Sequence, residues 1–296
     1  MPNFLILLAL LAADASANHW SRPEYAGVFT DPELDEVSGL AASHVHPGVY
    51  WAENDGGNGA NLIAIKSDGS RVATVKIAGA ENVDWEDLDS FDYKGKHYLL
   101  IADTGDNGGI RKMLTLYVVE EPETLRDGDT LRPAWSIFFR WPDGARDCEA
   151  TAVDVANGEV LLISKKRVPP ELFRLPLHPG NALQTAELLA TLSGIDQPDE
   201  NELKKNPVYG RYRSQISGAD LSPNGRVLAV LNYHSIHFYL REPGQTWAQV
   251  MQTRPGVLEF PWLPQAEGIA FSTDGRSLLI GSEQRPSPLL LFRSEP

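Results

Sequence analysis

One short pattern occurs five times along this chain, and a chain that repeats itself at such a period has few folds open to it. The copies are Glu36-Val37-Ser38-Gly39-Leu40-Ala41, Asp84-Trp85-Glu86-Asp87-Leu88-Asp89, Asp147-Cys148-Glu149-Ala150-Thr151-Ala152, Gln215-Ile216-Ser217-Gly218-Ala219-Asp220 and Gln265-Ala266-Glu267-Gly268-Ile269-Ala270. Each is followed by a turn and a second apolar run, at 49–51, 98–101, 160–163, 227–231 and 278–280. Third runs follow at 62–65, 114–119, 171–175, 236–240 and 289–292, and weaker fourth runs at 71–77, 135–141, 186–192 and 247–252. Short apolar or alternating runs bounded by Gly, Pro, Asn and Asp read as strands. Ser222-Pro223-Asn224-Gly225 and Ser272-Thr273-Asp274-Gly275 supply turns between them.

The marker residues Ser38, Glu86, Glu149, Ser217 and Glu267 lie 48, 63, 68 and 50 residues apart. A four-stranded propeller blade takes roughly 40–50 residues, so the intervals predict blades with insertions. The expected fold is all-β, a five-bladed β-propeller, with six blades if one copy has degenerated. The last unit has three strands only, and residues 25–29 are placed to complete it. That closure leaves no free sheet edge. The longest insertion, 194–214, is polar and reads as a loop at the rim, and no amphipathic helix is expected anywhere.

A hydrophobic fraction of 42% over 296 residues supports a folded chain. Its net charge of −14 repels phosphate backbones, which argues against nucleic-acid partners and suits cations. Residues 4–13 form an apolar run too short to span a bilayer, followed by Ala15-Ser16-Ala17, the small-x-small pattern of a signal-peptidase site. A signal peptide over 1–17 and a single propeller domain over 18–296 are therefore expected, with no membrane span and the periplasm or the exterior as destination. The lone Cys148 excludes an internal disulfide and a zinc site built on several thiolates, and reads as a buried, inert thiol.

In a meander, the start of strand one lies beside the end of strand two. Strand one is innermost in a propeller, so Glu36/Ser38, Asp84/Glu86, Asp147/Glu149, Gln215/Ser217 and Gln265/Glu267 are expected around one axial mouth. The loops leaving strand two add Asn54-Asp55, Asp103 with Asp106-Asn107, Lys165-Lys166, Tyr233-His234 and Glu283. Glu86, Glu149 and Glu267 share one repeat position; Asp103 and Glu283 share another, with Lys165 as its equivalent in the third copy. Crowded like charges raise one another's pKa or demand a cation, and calcium accepts six to eight oxygen ligands in loose geometry. Lys165 is suited to neutralise a carboxylate or hold an anionic substrate, and His234 to act as acid or base. The alternative is structural: such residues also cap turns and tie blades together, and Asp103 to Gly108 can be an Asx-rich turn. His44 and His46 sit in the turn at the opposite end and read as a solvated turn. Ser-x-x-Lys, Gly-x-Ser-x-Gly, His-Glu-x-x-His and phosphate-loop motifs are missing.

Through "VSGLAAS", "NVDWEDL", "IADTGDN", "ISGADLSPNG" and "AEGIAFSTDG", the chain resembles exported bacterial propellers related to the calcium-dependent phosphotriesterase, lactonase and esterase-like phytase groups. The resemblance implies an axial calcium held by Glu86, Glu149 and Glu267, with Asn54 and Asp103 nearby. It also implies a hydrolase of small phosphoesters, lactones or carboxylic esters; Glu149, Asp103, Lys165 and His234 are the residues expected to carry the reaction, in a chain expected to be monomeric. Two other functions stay open. One is a glycosidase with paired carboxylates and Trp51 or Trp85 as sugar platform; the other is a non-catalytic binding or scaffold propeller.

Overall fold

Each copy of the repeat opens an antiparallel meander, and five such sheets stand around a common axis in a five-bladed β-propeller. The computed structural model describes residues 20–294, so the leader expected over 1–17 lies outside the described residues. Blade one comprises Val37–Ala42, Val49–Asn54, Asn61–Lys66 and Arg71–Ile77; blade two comprises Trp85–Tyr93, Lys96–Asp103, Leu114–Glu120 and Pro133–Arg140. Blade three follows with Cys148–Asp154, Glu159–Ser164, Glu171–Pro176 and Glu187–Thr191, and blade four with Ile216–Leu221, Val227–Asn232, Ser235–Leu240 and Gly256–Glu259. Blade five takes Ala266–Phe271, Ser277–Ser282 and Ser287–Arg293 from the end of the chain and Glu24–Phe29 from its start, as the missing strand required. Among the described residues no helix is long and apolar enough to cross a membrane.

Inner strands are covered by a blade on either side, which is why they are buried on both faces. All six residues of Val37–Ala42 and all seven of Cys148–Asp154 are buried. The core is accordingly divided into five apolar clusters, one in each seam between neighbouring blades.

Two segments differ from expectation. Residues 247–252 open with a short helix, Trp247–Val250, and the fourth strand of blade four is Gly256–Glu259. A capping box between Thr246 and Gln249 fixes that helix, and burial of Trp247 and Val250 outweighs the strand pattern. The 194–214 insertion is no plain loop. It forms a helix, Glu200–Lys205, started by a capping box between Asp199 and Glu202, then a 3-10 turn, Gly210–Tyr212.

The repeated motif itself records a backbone irregularity. In all five blades the pairing of strands one and two slips by one residue at the marker: Ser38, Glu86, Glu149, Ser217, and Glu267 with Gly268. A bulge of this kind bends the strand and re-aims the extra side chain. Below the bulges, Asp87, Asp89 and Asp220 cross from blade to blade. Asp87 accepts the Thr151 amide at 2.6 Å, Asp89 the Thr151 hydroxyl at 3.0 Å, and Asp220 the Phe271 amide at 2.6 Å. Asp87 and Asp220 thereby satisfy backbone donors on the inner edges of strands that have no further neighbour.

Candidate functional site

The five bulge residues divide by chemistry. Ser38 donates to the Glu86 carbonyl at 2.9 Å, and Ser217 to the Ala266 carbonyl at 2.6 Å, so both staple one blade to the next. Ser217→Ala is expected to cost about 1 kcal/mol in urea denaturation, one buried hydrogen bond's worth, and to leave cation binding unchanged. Glu86, Glu149 and Glu267 are instead buried acids at the axial mouth. Ser38 and Ser217 thus act as blade staples, while Glu86 and Glu149 enter the acidic groups and Glu267 stands beside them.

Further carboxylates close around them. Asp55, Asp84 and Glu86 each bring an oxygen within 4.8 Å of the others, and Glu86, Asp147 and Glu149 do the same, so Glu86 belongs to both groups. Glycine makes this possible: a Cβ on Gly105 would collide with Glu86 Oε1 and the Asp84 carboxylate, and one on Gly56 with Asp84. Glu86 Oε1 and Glu149 Oε2 are buried with no hydrogen-bond partner, as are both carboxyl oxygens of the wholly buried Glu53 behind them. The donor set is all oxygen, partly unpartnered and without sulfur or imidazole. It fits a hard divalent cation such as calcium.

The bulges also correct the repeat alignment. Asp55, Gly105, Lys165 and Glu283 each donate their amide to the residue two before the marker, namely Glu36, Asp84, Asp147 and Gln265. By strand register Lys165 and Glu283 correspond to Asp55 and Thr104, and in blade two the closing amide comes one residue later, from Gly105. Asp103 pairs with Trp85 as Asn54 pairs with Val37, one position earlier than the repeat alignment had it.

Three basic groups enter the acidic mouth. Lys165 donates directly to Glu149, Lys166 lies 2.7 Å from Asp147, and Arg111 lies 2.8 Å from Asp103. Among the described residues, Asp55, Asp84, Glu86, Glu267 and Glu283 have no basic partner. Burial, reinforced by Asp55 and Asp147, pushes Asp84 up to about 6. Burial with Asp55 and Glu36 pushes Glu283 up to about 7. Glu86 and Glu267 are raised well above the carboxylate range by burial and by Glu149. Lys165 stays cationic, because its direct pairing with Glu149 outweighs its desolvation.

Lys165 also faces a cleft of about 670 Å³ whose wall includes Tyr212, Arg213, Tyr233, His234 and Trp262. The 200–212 insertion forms one side of it, so that segment stands by the mouth rather than out at the rim. Trp262 is 72% exposed and Tyr209 62%, which leaves aromatic surface free beside the acids.

The expected residues distribute as follows. Glu86 and Glu149 share one acidic group; Glu267 accepts a hydrogen bond from Tyr233 at 3.0 Å and raises Glu86 from nearby. Asp103 sits under Asp84, accepting its amide at 3.1 Å and paired with Arg111. Asn54 is not in the cluster: its side-chain amide donates to the Glu33 carbonyl at 2.7 Å. His234 lines the cleft, with Nε2 3.4 Å from Glu259. Trp51 and Trp85 are fully buried, their indoles donating to Glu121 and to the Glu81 carbonyl, so neither can be a sugar platform. Asp55, Asp84 and Asp147 lay near the mouth in the sequence without being assigned as ligands, although the last two stand two residues before a marker Glu. Glu53 gave no signal, being one acid inside an apolar run.

No family model matches the chain, and no curated protein does. Among solved structures it is similar to one titled "Structure of U3-55K", at 14% identity and a TM-score of 0.40, over 86% of this chain and 67% of that one.

Proposed function

We propose that the axial mouth binds a divalent cation, calcium by its donor chemistry, and that the protein is a hydrolase of phosphoesters, lactones or carboxylic esters. The observation that carries this is the pair of unpartnered buried oxygens, Glu86 Oε1 and Glu149 Oε2, in an acidic group cleared of side chains by Gly105. Glu86, Glu149, Asp84, Asp147 and Asp55 would hold the ion. When bound, it would supply Lewis-acid polarisation of a phosphoryl or carbonyl oxygen.

The chain's own residues would do the rest. Lys165 fixes one oxygen of Glu149 and presents positive charge at the cleft floor, where an anionic head group or developing oxyanion would lie. Tyr233 and Trp262 offer flat apolar surface to the remainder of the substrate, and His234 is an exchangeable acid or base on the wall. Five carboxylates gathered in two groups that share Glu86, rather than one isolated pair, favour a shared cation over the two-carboxylate arrangement of a glycosidase.

The test is a panel of aryl phosphotriesters, aryl esters and lactones assayed with calcium and with EGTA. Turnover that falls to background in EGTA and returns with calcium supports the proposal. Hydrolysis indifferent to chelation, or none on the whole panel in calcium, sinks the hydrolase.

A further inference from the structure

We infer that the end of the propeller opposite the acidic mouth carries a second, chemically distinct metal site, formed by His44, Asp92 and His97 and suited to a borderline transition-metal ion such as Zn2+. The three side chains come from two blades. Asp92 and His97 are cross-strand partners one pair back from a two-residue hairpin turn, in which Lys94 and Gly95 both adopt positive φ, 51° and 78°. That turn sets the two side chains directly opposite each other on one face. His97 Nδ1 lies 2.6 Å from Asp92 Oδ1. His44, from the turn after the first strand of blade one, brings its own Nδ1 to 2.8 Å from the same oxygen.

His44 is held there by a buried residue that is not itself a ligand. Glu121 accepts the His44 amide at 2.9 Å, the Trp51 indole at 2.8 Å and the Ser43 hydroxyl, while its own amide donates to the His97 carbonyl at 2.9 Å. One residue thus positions both histidines, His44 through its carboxylate and His97 through its backbone amide. His46, the apparent partner of His44 in the sequence, is turned aside, its Nε2 2.8 Å from the Pro122 carbonyl. The pair that matters spans blades and is invisible in the local sequence.

Imidazole nitrogen with one carboxylate suits zinc, nickel or copper, whereas the all-oxygen mouth suits calcium. Ligand atoms around tetrahedral zinc lie about 3.3 Å apart, so each Nδ1 needs to separate from Oδ1 by only about 0.5–0.7 Å. Side-chain exposures of 18% for His44, 45% for His97 and 60% for Asp92 leave one side open for water to complete the coordination.

The experiment is calorimetric titration of the untagged full chain with Zn2+ in excess calcium, together with zinc-edge absorption of the loaded protein. One equivalent should bind, with two imidazole ligands at the edge. His44→Ala and His97→Ala should each weaken it by at least about 10-fold, and Glu86→Gln should leave it unchanged. Absence of zinc binding to the wild-type chain, binding that survives both histidine variants, or an absorption spectrum without two imidazoles would overturn the site. The three side chains would then be only a hydrogen-bonded latch between blades.

Discussion

Glu86→Gln is expected to weaken calcium binding at the mouth by at least about 100-fold, because it neutralises the one acid common to both carboxylate groups. The same change should raise the melting temperature of the calcium-free protein by a few degrees. In that state Glu86 is a buried acid, raised by desolvation and by Glu149, with an unpartnered oxygen beside Gly105. An amide of the same shape has no charge to desolvate. The two effects have opposite signs, which sets Glu86 apart from a structural acid. Asp87, which caps the Thr151 amide, should lose stability on the same replacement. Isothermal titration with calcium and thermal melts in EGTA read both effects. A variant that is destabilised and binds normally would make Glu86 another blade staple.

The calcium-free protein is expected to become less stable as pH rises from about 5 to 8, and saturating calcium at pH 8 should restore what is lost. The sign follows from the direction of the shifts. Asp84 at about 6 and Glu283 at about 7 hold protons in the folded chain that they release at 3.8 and 4.5 when unfolded. Between those limits the folded state binds more protons, so stability falls with pH until the folded-state values are passed. Together, allowing for partial exposure, the two groups account for about 2–4 kcal/mol, or roughly 5–10 °C in melting temperature. A cation that binds only the folded state at 1,000 times its Kd returns about 4 kcal/mol. Melting temperatures at pH 5 and 8, each with EGTA and with calcium, provide the check. A flat pH profile, or an equal effect of calcium at both pH values, would contradict it.

Much of the architecture was legible because a β-bulge writes itself into sequence. The same irregularity at Ser38, Glu86, Glu149, Ser217 and Glu267 demands the same local residues, and that recurrence announced both the blades and their common mouth. Strand two of blade two concealed something: it closes on Asp84 one residue late, through Gly105, so Asp103 reads as the equivalent of Lys165 and Glu283 when Asp55 and Thr104 are their counterparts. The helix at Glu200–Lys205 had its capping box in plain view at Asp199 and Glu202, but none of its residues is buried, so no apolar stripe marked it. Glu53 was hidden in an apolar strand, and the His44–His97 approach depends on how two blades pack, which local spacing does not encode.

The most direct measurement is anomalous diffraction from crystals grown with calcium. A peak at the axial mouth, about 2.3–2.6 Å from carboxylate oxygens of Glu86 and Glu149, is the expected result. No peak there at saturating calcium, with Glu149 engaged by Lys165 alone, would mean that the acids of the mouth are balanced by protons and lysines and hold no ion.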